Sequence, residues 1–160
     1  MRPDDHEALC DVYGQPGVIR GTLQLPYPSS ETWRERASGS PDGAYSLVAA
    51  VDGRVVGNLG LFVPRNPRRG HVGQIGMAVH DAWQGRGVGT ALMAAALDLA
   101  DNWLNLSRME LQVFVDNEPA IRLYRRTGFE VEGVQPRYAL REGEFVDVYA
   151  MARLRAPRGS

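Results

Sequence analysis

The sequence predicts an α/β or α+β domain, a sheet with helices packed on it. Three observations lead there. The alternating runs "YSLVAAV" and "RVVGNLGLFV" flank Asp52-Gly53, the strongest short signal for a β-hairpin. After a glycine-rich loop, Val88, Leu92, Ala96, Leu99, Trp103 and Leu106 recur at helical spacing. The whole order reads helix, helix, three strands, helix, strand, helix, two strands.

The length of 160 residues suits a single domain, 1–160, with its core in about 4–154. Hydrophobic residues at 44% and charged residues at 23% are ordinary for a soluble globular chain. A net charge of −1 gives no broad pull towards nucleic acid or an anionic membrane, and neither is expected as a partner. The single cysteine, Cys10, excludes an intramolecular disulfide and fits a reducing, cytoplasmic compartment. It lies on an amphipathic helix and reads as a packing residue. The opening "MRPDDHEALC" has no apolar run for a signal peptide, and no run is long enough to span a bilayer. The closing "APRGS" reads as a frayed end or a cloning remnant.

Taken in order, a first helix is expected from about Asp4 to Tyr13, with Leu9, Val12 and Tyr13 on its apolar side. "GTLQLPYPSS" is irregular, because Pro26 and Pro28 interrupt any regular element. Ser29 or Ser30 caps a second helix that contains Trp33. The Asp-Gly hairpin follows, then the loop "NPRRG" and the strand "HVGQIGMAV". Gly73 and Gly76 inside that strand predict a bulge or a close backbone approach. The central helix runs for about 17 residues, roughly 26 Å. "RMELQVFV" alternates as a strand with Leu111 and Val113 on one face. "NEPAIRLYRRTGF" is a short helix: Asn117 caps it, Pro119 suits its first turn and Gly128 ends it. Two last strands, "EVEGVQPRYAL" and "EFVDVYAMARL", turn around Glu142-Gly143.

The loop "QGRGVGTAL" joins a strand to a helix. A helix N-terminus carries unpaired N–H groups and a partial positive charge, so it attracts phosphate. Gly85, Gly87 and Gly89 would let an anion approach the main chain closely, and Thr90 adds a hydroxyl. A Walker loop is excluded, because no lysine precedes Thr90. The dinucleotide spacing G-x-G-x-x-G is not met either. A plain strand-to-helix turn without ligand is the other reading of the loop alone.

Gln84-x-x-Gly87-x-Gly89 resembles the pyrophosphate loop of the GCN5-related N-acetyltransferases, which bind acetyl-CoA. The glycine-bearing strand before it and "NEPAIRLYRRTGF" after it are similar to two further signatures of that family, in the same order. The likeness covers roughly Asp4 to Leu154. "TLQLPYPS", "NPRRGHV", "DNWL", "VFVDNEPAI" and "EFVDVYAMAR" look like the bacterial L-amino-acid N-acetyltransferases of the phenylalanine and methionine type. The resemblance implies a mixed, mostly antiparallel sheet, splayed at the acetyl-CoA strand, with helices on both faces. The family begins with a strand before its first helix, and here that strand is expected to be short or missing.

The implied reaction moves an acetyl group from acetyl-CoA to a primary amine, without a metal. Main-chain groups of Met77, Ala78 and Val79 would pair with the pantetheine arm, and an N–H near Val79 would meet the oxyanion. Gln84, Gly85, Arg86, Gly87, Val88, Gly89 and Thr90 would take the pyrophosphate. Arg86 reads equally as a solvated loop arginine. Asn117 and Ala120 are further cofactor candidates, Asn117 also reading as a helix cap. Tyr124 stands where the family has its proton-donating tyrosine; its hydroxyl, with an unperturbed pKa of about 10, is neutral at pH 7. For a base, the strand before the loop offers only Gln74 where relatives have an acid, which leaves His71 and Glu110 as candidates and water as the alternative. Leu25, Tyr27, Trp33, Tyr138 and Phe145 are candidates for an apolar acceptor slot or for core. Arg68, Arg69 and Arg137 are candidates for an acceptor carboxylate.

The expected function is acetylation of a small amine, an apolar free L-amino acid first. The same fold acetylating a protein N-terminus, a polyamine or an amine-bearing toxin remains open, as does a non-catalytic acyl-CoA-binding module. The resemblance and an exposed final hairpin are compatible with a homodimer.

Overall fold

The computed structural model describes residues 2–39 and 41–156. Most of the tail "APRGS" lies outside them. Three helices come first: α1 (His6–Tyr13), α2 (Pro16–Gly21) and α3 (Ser30–Ser38). The sequence reading had no α2, although Pro16 at its first position is a start signal. Ser29 caps α3 by accepting the Thr32 N–H. Among the described residues no strand precedes α1.

Six strands follow, interrupted by two helices: β1 (Ala44–Val51), β2 (Arg54–Phe62), β3 (Val72–Val79), α4 (Val88–Asp98), β4 (Arg108–Phe114), α5 (Glu118–Arg126), β5 (Glu130–Arg141) and β6 (Glu144–Leu154). They form one sheet in the order β1-β2-β3-β4-β6-β5; among the described residues β3–β4 is the one parallel pair. The two expected hairpin turns, Asp52-Gly53 and Glu142-Gly143, both have positive φ at each central residue, the geometry that matches strand twist.

The two faces of the sheet bury two cores. On one, α4 and α5 cover a cluster that includes Leu59, Leu92, Met93, Met109, Leu111, Tyr124 and Met151. On the other, α1 and α3 cover Val55 and Ala78 with Leu9, Val12, Tyr13 and Trp33. Here Tyr13 and Trp33 stack at 4.4 Å.

Trp103 departs from the expected apolar face of the central helix; it is 76% exposed. After Asp98 the helix widens into a π-turn, Leu99–Trp103, closed by the Leu104 N–H on the Leu99 carbonyl. The wider turn breaks the 3.6-residue phase, so Ala100 takes the buried place and Trp103 swings outward. Arg153 then clamps the turn through two hydrogen bonds to Asp101, at 2.9 and 2.8 Å.

The glycines of β3 divide. A Cβ on Gly73 would lie 2.7 Å from Met109 Sδ and 2.9 Å from both Leu106 Cδ1 and Leu61 Cδ1, so Gly73 is a close-packing residue, and its pairing with Met109 on β4 runs in register without a bulge. Gly73→Ala is expected to cost about 1–3 kcal/mol through overpacking, read as a lower urea midpoint at unchanged m. Gly76 meets open space.

Candidate active site

The site begins where β3 and β4 part. They pair only over Val72–Arg108, Gly73–Met109 and Gln74–Glu110. Beyond Gln74 the two strands diverge, while β4 stays paired to β6 as far as Phe114. Strand alternation sets which groups of β3 face the gap. His80 donates its N–H to the Val56 carbonyl at 2.8 Å, so the main chain of Ala78 also turns towards β2. The N–H and C=O groups of Met77 and Val79 therefore turn towards the gap. The Ala78 peptide groups turn towards β2 and its side chain towards the core beneath α1.

At the far end of β3 a short turn leads to α4. Gly85 has φ +73° and Gly87, the N-cap of α4, has φ +84°. Both are left-handed conformations that favour glycine. No side chain caps α4; the first intrahelical bond runs from the Ala91 N–H to the Gly87 carbonyl. The N–H groups of Val88, Gly89 and Thr90 thus have no partner within the helix. A Cβ at Gly85 or Gly87 would meet nothing within 4 Å, so the space over this mouth is open. Gly89 has a different reason: a Cβ there would lie 3.0 Å from Leu123 Cδ2, so it lets α5 pack close against α4.

The turn itself is braced from behind. His80 Nδ1 accepts the Ala82 N–H at 3.0 Å, and its Nε2 lies 3.2 Å from Asp11, which also holds Arg54. Asp81 accepts the Gly17 N–H at 2.9 Å and ties α2 to the turn. Gln84 Nε2 donates to the Val79 carbonyl at 3.2 Å and reaches Asp81 Oδ1 at 3.5 Å. Gln84 thus shapes the loop from within, whatever it adds to ligand contact.

One cavity of about 760 Å³ joins these parts. Its wall includes Met77, Val79, Gly87, Thr90, Asn117 and Tyr124. Tyr124 is 7% exposed and packs on Phe129 at 5.9 Å between ring centroids. Burial pushes its hydroxyl up to about 12, and no described residue hydrogen-bonds it. It is a proton donor over the whole neutral range. Asn117 caps α5 by accepting the Ala120 N–H at 3.4 Å, and both residues line the cavity.

The pattern of the acetyltransferase (GNAT) family matches residues 11–129, from α1 through the gap and α4 to the end of α5. The chain belongs to this family. The L-amino acid N-acetyltransferase AaaT of Escherichia coli (strain K12) is 49% identical over 151 residues, 94% of this chain and 93% of that protein. The N-alpha-acetyltransferase RimI of Mycobacterium tuberculosis is 36% identical over 130 residues, 80% of this chain and 75% of that protein. Among solved structures, an acetyltransferase of the GNAT family from Streptococcus pneumoniae superposes with a TM-score of 0.83 at 25% identity, covering 98% of this chain and 96% of that one. This GNAT chain is an N-acetyltransferase with acetyl-CoA as its acetyl donor. No helix among its described residues is long and apolar enough to cross a membrane, and they hold no group of side chains placed to bind a metal.

Several residues singled out by sequence stand away from this GNAT cavity. Arg86 lies over the Trp83 ring at 5.0 Å and is not part of the cavity wall. His71 is exposed at the opposite end of β3 from the glycine loop. Glu110 sits where β3 and β4 are still paired, bonded to Gln74, Arg69 and Arg108. Burial raises its pKa, but the bonds from Gln74 and Arg108 and the charges of Arg108 and Arg69 outweigh that and hold the carboxyl below its usual value. Neither residue is part of the cavity wall. No aspartate, glutamate or histidine is among the residues of the cavity wall.

Four of the five residues expected by sequence at the acceptor end stand away from the cavity. Leu25 is 80% and Tyr27 97% exposed, Phe145 is exposed beneath the Arg137 guanidinium, and Trp33 is core. Of the five, only Tyr138 lines the cavity. The neighbours Thr22, Leu23 and Gln24 line it instead. Thr22 donates its hydroxyl to the Val18 carbonyl at 2.7 Å and accepts the Gln24 N–H at 3.2 Å, a local turn that sets the direction of this segment. Arg68, Arg69 and Arg137 are all outside the wall, whereas Arg122 and Arg126, one helical turn apart on α5, are in it. Their i, i+4 spacing beside Tyr124 was the available signal for them.

Proposed function

We propose that this enzyme acetylates the α-amine of a free L-amino acid with an apolar side chain, with Tyr124 as general acid. The observation that carries the reading is the single cavity: it joins the open edge of β3, the bare mouth of α4 and an unpartnered tyrosine hydroxyl. The 49% identity with an L-amino acid N-acetyltransferase supports the acceptor.

Acetyl-CoA supplies the acetyl group as a thioester; the acceptor nitrogen forms the C–N bond as the C–S bond breaks. The chain's own groups fit that donor. N–H groups of Val88, Gly89 and Thr90 bind pyrophosphate at the positive end of α4. Arg122 and Arg126 flank Leu123, which packs on α4 beside Gly89, so their charge serves the same phosphates. Met77 and Val79 hold the pantetheine arm as a further strand would be held, and the Val79 N–H donates to the thioester oxygen. Tyr124 passes its proton to the departing sulfur and recovers one from solvent. With no carboxylate or imidazole in the wall, the amine loses its proton to water.

A thiol-release screen over amino acids, polyamines and short peptides tests the acceptor. The expected result is turnover on apolar amino acids, with kcat/KM rising with pH up to the acceptor's own amine pKa, about 8 or above. Changing to an acceptor of lower pKa should move the break with it. A break that stays fixed when the acceptor is changed would mean an enzyme base. Turnover on peptides alone would favour the N-terminal reading that the RimI similarity supports, and CoA binding without turnover would leave a binding module.

A further inference from the structure

We propose that Gly60 and Gly76 form the floor of the acceptor side-chain pocket and set the size of amino acid the enzyme accepts; this rests on the acetyl-transfer reading above. A glycine inside a strand costs about 0.5–1 kcal/mol relative to alanine, so each one calls for a reason. Gly57 has one, because its Cβ would lie 3.0 Å from Val88 Cγ1 and 3.1 Å from Leu92 Cδ1. Gly73 has one in Met109 and its neighbours. Gly60 and Gly76 have none of this kind. Neither is left-handed, and a Cβ on either would meet no atom within 4 Å.

The two glycines are cross-strand partners, Gly60 on β2 opposite Gly76 on β3, so their absent side chains vacate one spot on one face. Both line the cavity. Alternation puts them on the face of Ala78 and Asn58, the next rung along. Met77 and Leu59, between them, face α4. The floor therefore lies beside the gap but on the side away from the phosphate-binding mouth. An amine arriving there meets a thioester held in the gap from the opposite face.

The cavity-lining side chains on this face next to the floor are uncharged; the Glu110–Arg69–Arg108 cluster starts one rung beyond Gly76, at Gln74, outside the cavity wall. Tyr13 donates its hydroxyl to Asn58 Oδ1 at 2.6 Å, and Asn58 Nδ2 donates to Ser46 Oγ at 2.8 Å and to the Leu47 carbonyl at 2.9 Å. Burial, partly offset by Arg36, pushes the Tyr13 hydroxyl up to about 12, so it stays uncharged. Leu23 and Gln24 line the same cavity. A bare floor beside the uncharged Tyr13–Asn58 pair takes an extended apolar side chain, of methionine or phenylalanine size, lying flat across two strands.

Gly60→Val and Gly76→Val test this. Valine suits a strand, and neither Cβ has anything to displace, so the variants are expected to keep the wild-type melting temperature within a few degrees. Calorimetric Kd for CoA should stay within about twofold, while KM for methionine and phenylalanine rises at least about tenfold and KM for glycine changes little. Binding without turnover gives the second readout. Conjugates joining CoA sulfur through an acetyl bridge to the nitrogen of phenylalanine or glycine should be distinguished by the wild type by about tenfold and not by the variants. Should a valine variant fail to fold, alanine at the same position is expected to show the same trend at smaller size. Variants that keep wild-type discrimination overturn the floor assignment alone. Equal losses for both conjugates overturn it too. A wild type that binds CoA but gains nothing from either conjugate, and acetylates no amino acid, removes the acceptor reading and this pocket with it.

Discussion

Tyr124→Phe is expected to lower kcat by about 10²-fold at pH 7 while leaving the Kd for acetyl-CoA within about twofold. The substitution removes one oxygen and nothing else. The ring keeps its place against Phe129, and no described residue loses a hydrogen bond, since none is made to the Tyr124 hydroxyl. Stability should change by less than about 0.5 kcal/mol for the same reason. The deficit should depend on pH. A thiol of pKa about 8.5 leaves unaided once the medium is alkaline enough to hold it as thiolate, so the variant should close on the wild type between pH 8 and 9.5. The wild type itself keeps its donor through that range. Its hydroxyl is raised to about 12 in the folded chain from about 10 unfolded, so the proton is held more tightly in the fold. The stability linked to it is complete below pH 10 and lost only as the pH climbs from 10 to 12. Equal kcat for variant and wild type at pH 7 would leave Tyr124 as packing only.

Much of the fold was legible because local chemistry dictates it. Asp52-Gly53 specifies its hairpin by what its φ angles allow, and Ser29 and Asn117 announce helices through the N–H groups they cap. The glycine loop opens α4 and Tyr124 lies on α5, with only β4 between the two helices, so the family likeness could carry their order. What was missed depends on distance. Glu110 and His71 look free in sequence; only the β3–β4 register, which ends at Gln74, shows that they sit where the strands are still joined. Leu25 and Tyr27 read in sequence as acceptor slot or core and are neither in the cavity wall nor buried, while their neighbours Leu23 and Gln24 line the cavity, because a Thr22 hydroxyl bond sets the turn and periodicity cannot see it. Trp103 fell out of phase through a single π-turn. Four strand or loop glycines that look alike in sequence separate only in three dimensions: Gly73 and Gly89 under packing, Gly76 and Gly87 under open space.

Gly87→Val should weaken acetyl-CoA binding by at least about tenfold, or 1.4 kcal/mol. Two effects act together. At φ +84° a branched residue is strained by about 1–2 kcal/mol, so the turn relaxes and carries the first N–H groups of α4 out of line. A side chain that does stay in place projects into the open space over those groups, where nothing lies within 4 Å of the Cβ. The pair Gly87→Asn and Gly87→Ala separates them. Asparagine tolerates the left-handed conformation but fills the space; alanine fills less space but strains the turn. If the mouth of α4 holds pyrophosphate, asparagine should cost more affinity than its small loss of melting temperature suggests, and CoA should raise the melting temperature of the variants less than that of the wild type. Gly85→Val, at φ +73° in the same open loop, should behave alike. A folded Gly87→Val protein with wild-type affinity for acetyl-CoA would mean that the phosphates are held elsewhere, and the N–H groups of Val88, Gly89 and Thr90 would have only water to bond.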